Sequence, residues 1–188
     1  QVAALGAEVV ACALVGLVSN AGIAVPAPLE YLPLDHFRHQ LEVNLVGQLA
    51  VVQAVLPALR RTRGRVVVVG SIGDRIATPM LGAYNASKFA VSAFTEVLQH
   101  ENRASGVRFA CVCPPPVATP LLDQAKSQPK ILAQMPPISP ESVLDAVERD
   151  LERGKVMVFP DRNAAVAVWM RRHFPRLLWR NLHRVEGF

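Results

Sequence analysis

The run RVVVVG at residues 65 to 70 is the strongest constraint on what this chain can become. Four successive valines alternate in direction along a strand yet leave neither face polar, the pattern of a strand covered on both sides. The segments around it supply the cover. Leu41, Leu45, Leu49, Val52 and Leu56 recur at helical spacing between a cap expected at Asp35 and an end near Thr62, with Gly64 closing the helix. Ala13 to Ser19 reads as a buried strand before it, separated by a loop with Pro26, Pro28 and Pro33. After residue 70 come a loop from Ile72 to Gly82, a helix from about Ala83 to Ala104 and a strand from Val107 to Cys113. Pro114, Pro115 and Pro116 stop that strand, because none has an N–H for a ladder. Ser139-Pro140-Glu141 then opens a helix to Arg153 as cap, first residue and acidic first turn, Gly154 follows it, and Lys155 to Phe159 forms a last strand. Alternation of this kind gives a parallel sheet with right-handed crossovers and gathers the loops at the C-terminal strand ends.

Those loops carry the chemistry. The segment SIGDRIATPMLGAYNASK places a hydroxyl at Ser71, a phenol at Tyr84 and an ammonium at Lys88. Tyr84 and Lys88, four residues apart, share one helix face. An unperturbed phenol has a pKa of about 10 and is a poor acid-base catalyst near neutrality. A nearby ammonium favours the phenolate and lowers that value. A serine hydroxyl beside them can hold a substrate oxygen, so the set is suited to moving a proton on and off an alcohol or carbonyl.

YNASK with a serine thirteen residues earlier resembles the active site of the short-chain dehydrogenase/reductase family. Three further pieces match in order: Asn20-Ala21-Gly22 resembles the family's NNAG element, Asn44 within VNLVG its helix asparagine, and PPPVAT from Pro114 to Thr119 its PG-x-V-x-T element. The resemblance runs from about residue 13 to 160. It implies a Rossmann-like, doubly wound α/β parallel sheet and an NAD(P)-dependent oxidoreductase, either NAD or NADP serving. Tyr84 would be the general acid in reduction and the base in oxidation. Lys88 would tune it and hold the nicotinamide ribose, and Ser71 would bond the substrate oxygen. Asn44 would bend its helix and hold a water that relays protons to Lys88, or bond the backbone alone. Asn20, Ala21 and Gly22 would lie against the cofactor, with Ser19 replacing the first asparagine of the usual pair. Val117 and Thr119 would reach the nicotinamide carboxamide. Pro115 departs from the family's glycine, fixing φ and removing a donor beside the nicotinamide.

The family's glycine-rich G-x-x-x-G-x-G turn, which grips the pyrophosphate, has no match here. Residues 1 to 11 read as the end of a helix and ALVGLVSNAG as the family's fourth strand. The expectation is therefore an N-terminally truncated fold lacking its first βαβαβ half, one partial domain over residues 1 to 188. The alternative is an inactive relative that acts, if at all, as an association module, pairing through its two long helices.

With 51% hydrophobic residues and no low-complexity stretch, a soluble globular protein is the default. Six arginines at 162, 171, 172, 176, 180 and 184, against Asp161 and Glu186, supply four of the chain's net +5. Without zinc-finger spacing or an aromatic-basic platform, that tail is not read as a nucleic-acid site. Its Val168, Trp169, Leu177, Leu178 and Trp179 suit core or interface packing, or weak contact with an anionic membrane, and Pro175 splits it into two pieces. Cys12, Cys111 and Cys113 form no framework and imply free thiols in a reducing, cytoplasmic setting. Cys111 and Cys113 read as core, with too few neighbouring ligands in the sequence for a metal. Residues 120 to 138 form an irregular substrate-loop region, and its Leu121, Leu122, Ile131, Leu132 and Met135 suggest a hydrophobic, lipid- or steroid-like alcohol or ketone.

Overall fold

The computed structural model describes residues 13–121 and 129–187. The helix end expected over residues 1 to 11, Cys12 and Leu122 lie outside the described residues. Among the described residues, four strands, β1 (Gly16–Ser19), β2 (Arg65–Val69), β3 (Arg108–Val112) and β4 (Met157–Val158), form one sheet in chain order. Every pairing is parallel, with Val66 opposite Leu17 on one side and Phe109 on the other.

Between β1 and β2 runs a continuous helical stretch: α1 (Leu34–Leu41), a π-helical turn (Glu42–Gly47) and α2 (Gln48–Thr62). Helix α3 (Gly82–Glu101) joins β2 to β3, and α4 (Lys130–Ala133) and α5 (Pro140–Glu152) lie between β3 and β4. The valine run of β2 explains the layering. Val66 and Val68 pack with Val52, Leu56 and Leu59 of α2 and Val91 of α3. Val67 faces the other way, toward Ala146 and Leu151 of α5. By length and composition Leu34–Thr62 resembles a membrane span, but its apolar face lies under the sheet, as a core helix does.

Several boundaries differ from expectation. The long helix starts at Leu34, with Pro33 at its cap position and no side-chain cap. Asp35 instead makes an exposed ion pair with Arg38 at 2.9 Å. At the other end Arg63, not Gly64, takes the left-handed conformation (φ 52°). Gly64 is required for space: a Cβ there would sit 2.6 Å from Leu59 Cδ2 and 2.8 Å from the Val15 carbonyl. The expected strand from Ala13 shortens to begin at Gly16, and that from Lys155 to Phe159 shrinks to two residues at the sheet edge. Ser139 caps α5 as expected, its Oγ accepting from the Ser142 N–H, and Gly154 has a φ of +70°.

The tail forms α6 (Arg162–His173) and α7 (Pro175–Glu186), broken at Pro175 as its ring requires. Ala164, Val168 and Leu178 pack on Ile72 and Ile76. Trp169 remains 54% exposed and Phe174 52%. Glu186 accepts from the N–H groups of Lys130 and Ile131, fastening α7 to α4.

Substituting Gly64→Ala is expected to lower stability by about 1–3 kcal/mol through overpacking at the α2–β2 junction, read as an earlier urea midpoint with unchanged secondary structure by circular dichroism.

Candidate active site

The site is built from the loops that follow β1, β2 and β3. Past β2 the chain stays tied to β3: the Gly70 N–H donates to the Val112 carbonyl (2.8 Å) and the Ile72 N–H to that of Pro114 (2.8 Å). Ser71 is extended and caps a 3₁₀ turn (Ile72–Asp74), its Oγ accepting from the Gly73 N–H at 3.0 Å. Asn85 of α3 secures the turn from the other side, donating to the Gly73 carbonyl (2.8 Å) and accepting from the Thr78 N–H (3.0 Å). Gly73 must lack a side chain, since a Cβ would lie 2.8 Å from Asn85 Nδ2 and 3.4 Å from the Tyr84 ring.

Ser71, Tyr84 and Lys88 converge. The Ser71 hydroxyl lies beside that of the half-buried Tyr84, and Lys88 Nζ lies 5.7 Å from the Tyr84 ring centroid. Lys88 is 3% exposed and donates to the Val69 carbonyl at 2.7 Å. The expected lowering of the phenol pKa is absent. Burial pushes Tyr84 above the usual phenol value and the Asp74 charge adds to this, while the Ser71 bond opposes it. Burial also pushes Lys88 down to about 8, against the pull of nearby anionic groups.

Asn44 lies in the π-helical turn, fully buried. Its Oδ1 accepts from the Ile23 N–H (2.7 Å), and its Nδ2 donates to the Ile23 carbonyl (2.9 Å) and to Ser87 Oγ (3.0 Å). Ser87 Oγ in turn donates to the Tyr84 carbonyl at 2.7 Å. The amide's bonds thus go to backbone and Ser87 rather than to Lys88. Two further amides extend this pattern: Gln48 donates to the Ala21 carbonyl (2.9 Å), and Gln40 accepts from the Val25 N–H (3.0 Å). Gln40, Asn44 and Gln48 form a buried ladder that grips the loop after β1. Sequence reasoning singled out Asn44 alone. The missed signal was three amides at intervals of four on an otherwise apolar helix.

The other expected cofactor residues divide into two groups. Gly22 lies beside Asn44 and Lys88, where a Cβ would sit 3.5 Å from Asn44 Oδ1 and 3.6 Å from Lys88 Nζ, while Asn20 and Ala21 are exposed on the same loop. Pro114 and Pro115 are buried, and Pro114 holds the Ser71 turn through its carbonyl. Val117 bridges to Ile138, and Thr119 Oγ1 bonds the Val117 carbonyl at 3.4 Å. No hydrogen bond among the described residues joins Val117 or Thr119 side chains to Ser71, Tyr84 or Lys88. Asp74 was not anticipated. It is fully buried behind Ser71, and burial raises its pKa to about 6 despite a hydrogen bond from Cys113 and the charge of Arg75.

Residues 2–130 match the family model for short chain dehydrogenases, and the chain belongs to that family. It is 47% identical over 109 residues to a 3-amino-tetrahydro-pyrrolizinone reductase of Xenorhabdus hominickii, covering 58% of this chain and 38% of the relative. It is 39% identical over 127 residues to human dehydrogenase/reductase SDR family member 9, covering 67% of this chain and 40% of that protein. The chain thus spans about two fifths of the length of these curated relatives. Among solved structures, a short chain dehydrogenase from Burkholderia cenocepacia in complex with NADP superposes with a TM-score of 0.83 at 28% identity, over 97% of this chain and 73% of that one. The parallel sheet with flanking helices is the Rossmann-like architecture expected from the sequence.

A lysine whose folded pKa is depressed opposes folding while it must be charged, and that penalty falls as pH rises through the folded pKa toward the unfolded value. Between pH 7 and 10 the wild-type chain should therefore gain roughly 2 kcal/mol of unfolding free energy relative to Lys88→Met. Urea titrations of both proteins across that window provide the check.

Proposed function

We propose that this chain is the catalytic portion of an NAD(P)-dependent oxidoreductase that interconverts a secondary alcohol and a ketone. The convergence of Ser71, Tyr84 and Lys88 at the C-terminal ends of parallel strands carries the reading. In reduction, Tyr84 donates its phenolic proton to the carbonyl oxygen, and in oxidation it takes the proton from the hydroxyl. Its raised pKa keeps the donating form populated at neutral pH. Ser71 Oγ is positioned to bond the same substrate oxygen, since its turn is fixed on two sides.

A nicotinamide cofactor supplies the hydride when bound. The residues present suit its nicotinamide end. Lys88 commits one described hydrogen bond to Val69, leaving further ammonium protons for ribose hydroxyls. Gly22 brings backbone close to Lys88 and Asn44 with no side chain between them. Pro114, Pro115, Val117 and Thr119 would border the carboxamide. The apolar residues Leu121, Ile131, Leu132 and Met135 support a hydrophobic substrate. Exposed Trp169, Phe174 and Leu177 among the tail arginines support weak contact with an anionic membrane surface.

A second reading has its own support. Val18 is 65% exposed on edge strand β1 and Val15, just before it, 71%, and Phe89 and Val97 are exposed on α3, surfaces suited to association rather than turnover. A titration of NADH and NADPH on the chain, with ketone turnover followed in parallel, separates the two. Under the enzyme reading, Tyr84→Phe retains cofactor binding and loses turnover by about 10²–10⁴-fold. A folded chain that neither binds nor turns over belongs to the association reading.

A further inference from the structure

Behind the Ser71 turn, and independent of the redox reading, Asp74, Cys111 and Cys113 bring one ligand atom each to within 4.8 Å of the others. All three residues are fully buried. Asp74 Oδ2 lies 2.9 Å from Cys113 Sγ and 3.9 Å from Cys111 Sγ. A tetrahedral zinc with Zn–S of about 2.3 Å and Zn–O of about 2.0 Å sets its sulfur and oxygen ligands roughly 3.5 Å apart, a spacing the two observed distances bracket. The ligands are held by the sheet itself. The Cys111 N–H of β3 donates to the Val156 carbonyl (2.7 Å) and the N–H of Cys113, just past the strand end, to that of Val158 (2.8 Å), which fixes both thiols on one face.

One further observation points to a ligand. Asp74 Oδ1 is buried without a hydrogen-bond partner among the described residues, with the Arg75 guanidinium 3.6 Å away. Asp74 Oδ2 and the two thiolates supply three protein ligands. Gly70 lets the three side chains pack against the backbone, for a Cβ there would lie 2.8 Å from both Asp74 Oδ2 and Cys111 Sγ. The shortage of ligands read from the sequence reflected only the two thiols of β3, since the third ligand arrives from a loop 37 residues earlier.

We propose that Asp74, Cys111 and Cys113 form a binding site for a thiophilic divalent cation such as zinc or cadmium. Binding releases the two thiol protons to solvent and leaves a complex of net charge −1, faced by Arg75. The cation is buried behind the Ser71 turn and pins that turn to β3.

The test is a Cd²⁺ titration of the reduced chain refolded with the metal, followed by the ultraviolet thiolate-to-cadmium charge-transfer band and checked for folding by circular dichroism. The wild-type chain and Cys12→Ser should both saturate at one cadmium per chain with a band of two thiolates. Cys113→Ser should halve the band and lower affinity at least tenfold. Asp74→Asn should lower affinity while the band at saturation keeps its full height, because the carboxylate contributes none of it. Zn²⁺ should displace the cadmium. A folded wild-type chain with no saturable band overturns the proposal, as does a full band in Cys113→Ser, loss of the band in Cys12→Ser, or unchanged affinity in Asp74→Asn. If Cys111→Ser fails to fold, Cys113→Ser and Asp74→Asn still decide the matter.

Discussion

Parallel pairing of β2 with β1 on one side and β3 on the other is the constraint on which the structure depends. It forces the chain to cross the sheet between strands, and it brings the loops that follow all three strands to one edge. Burial of β2 on both faces makes the pairing one-way. A slip of one residue would exchange Val66 and Val68 with Val67, exchanging the sets packed against α2 and α5. The Ser71 turn inherits that precision, because the last β2–β3 bonds continue past the strand as Gly70 to Val112 and Ile72 to Pro114.

The helical stretch under the sheet does more than cover it. Gln40, Asn44 and Gln48 are polar groups in an apolar layer, and unpaired buried amides are costly. Each bonds to the backbone of residues 21–25, with Gln48 Oε1 alone of these amide oxygens left without a partner among the described residues. The loop after β1, which carries Gly22 past Lys88, is therefore held by side chains where no ladder is available. The π-helical turn around Asn44 belongs to this arrangement, an irregularity of a kind often associated with functional sites.

Much of this was legible in the residues. Four valines in a row, the proline triplet after β3, and serine-proline before α5 each act locally, through pattern, a missing N–H and a cap, and each element formed where expected. Tyr84 and Lys88 were legible from helical spacing and Ser71 from the family motif. What escaped depended on contacts far apart in sequence. Asp74 reads as an ordinary loop acid until the fold seals it behind Ser71 beside two thiols. The phenol pKa went the opposite way because spacing reveals a neighbouring charge but not the depth of burial, and here burial outweighs the other effects. Asp35 failed as a cap because Pro33 already occupies that position and the helix begins at Leu34.

The order of strands in the sheet also bears on how the molecule assembles. Each strand pairs with its neighbour in sequence, so every new β-α unit can dock on the edge left by the one before it, without threading between strands already in place. The loops that carry Gly22 and Ser71, and the helix α3 that carries Tyr84 and Lys88, all precede the end of β3 in the chain. The helices α6 and α7 are made afterwards and close over Ile72 and Ile76. The segments that bring Ser71, Tyr84 and Lys88 together thus leave the ribosome before the arginine-rich tail that packs on Ile72 and Ile76.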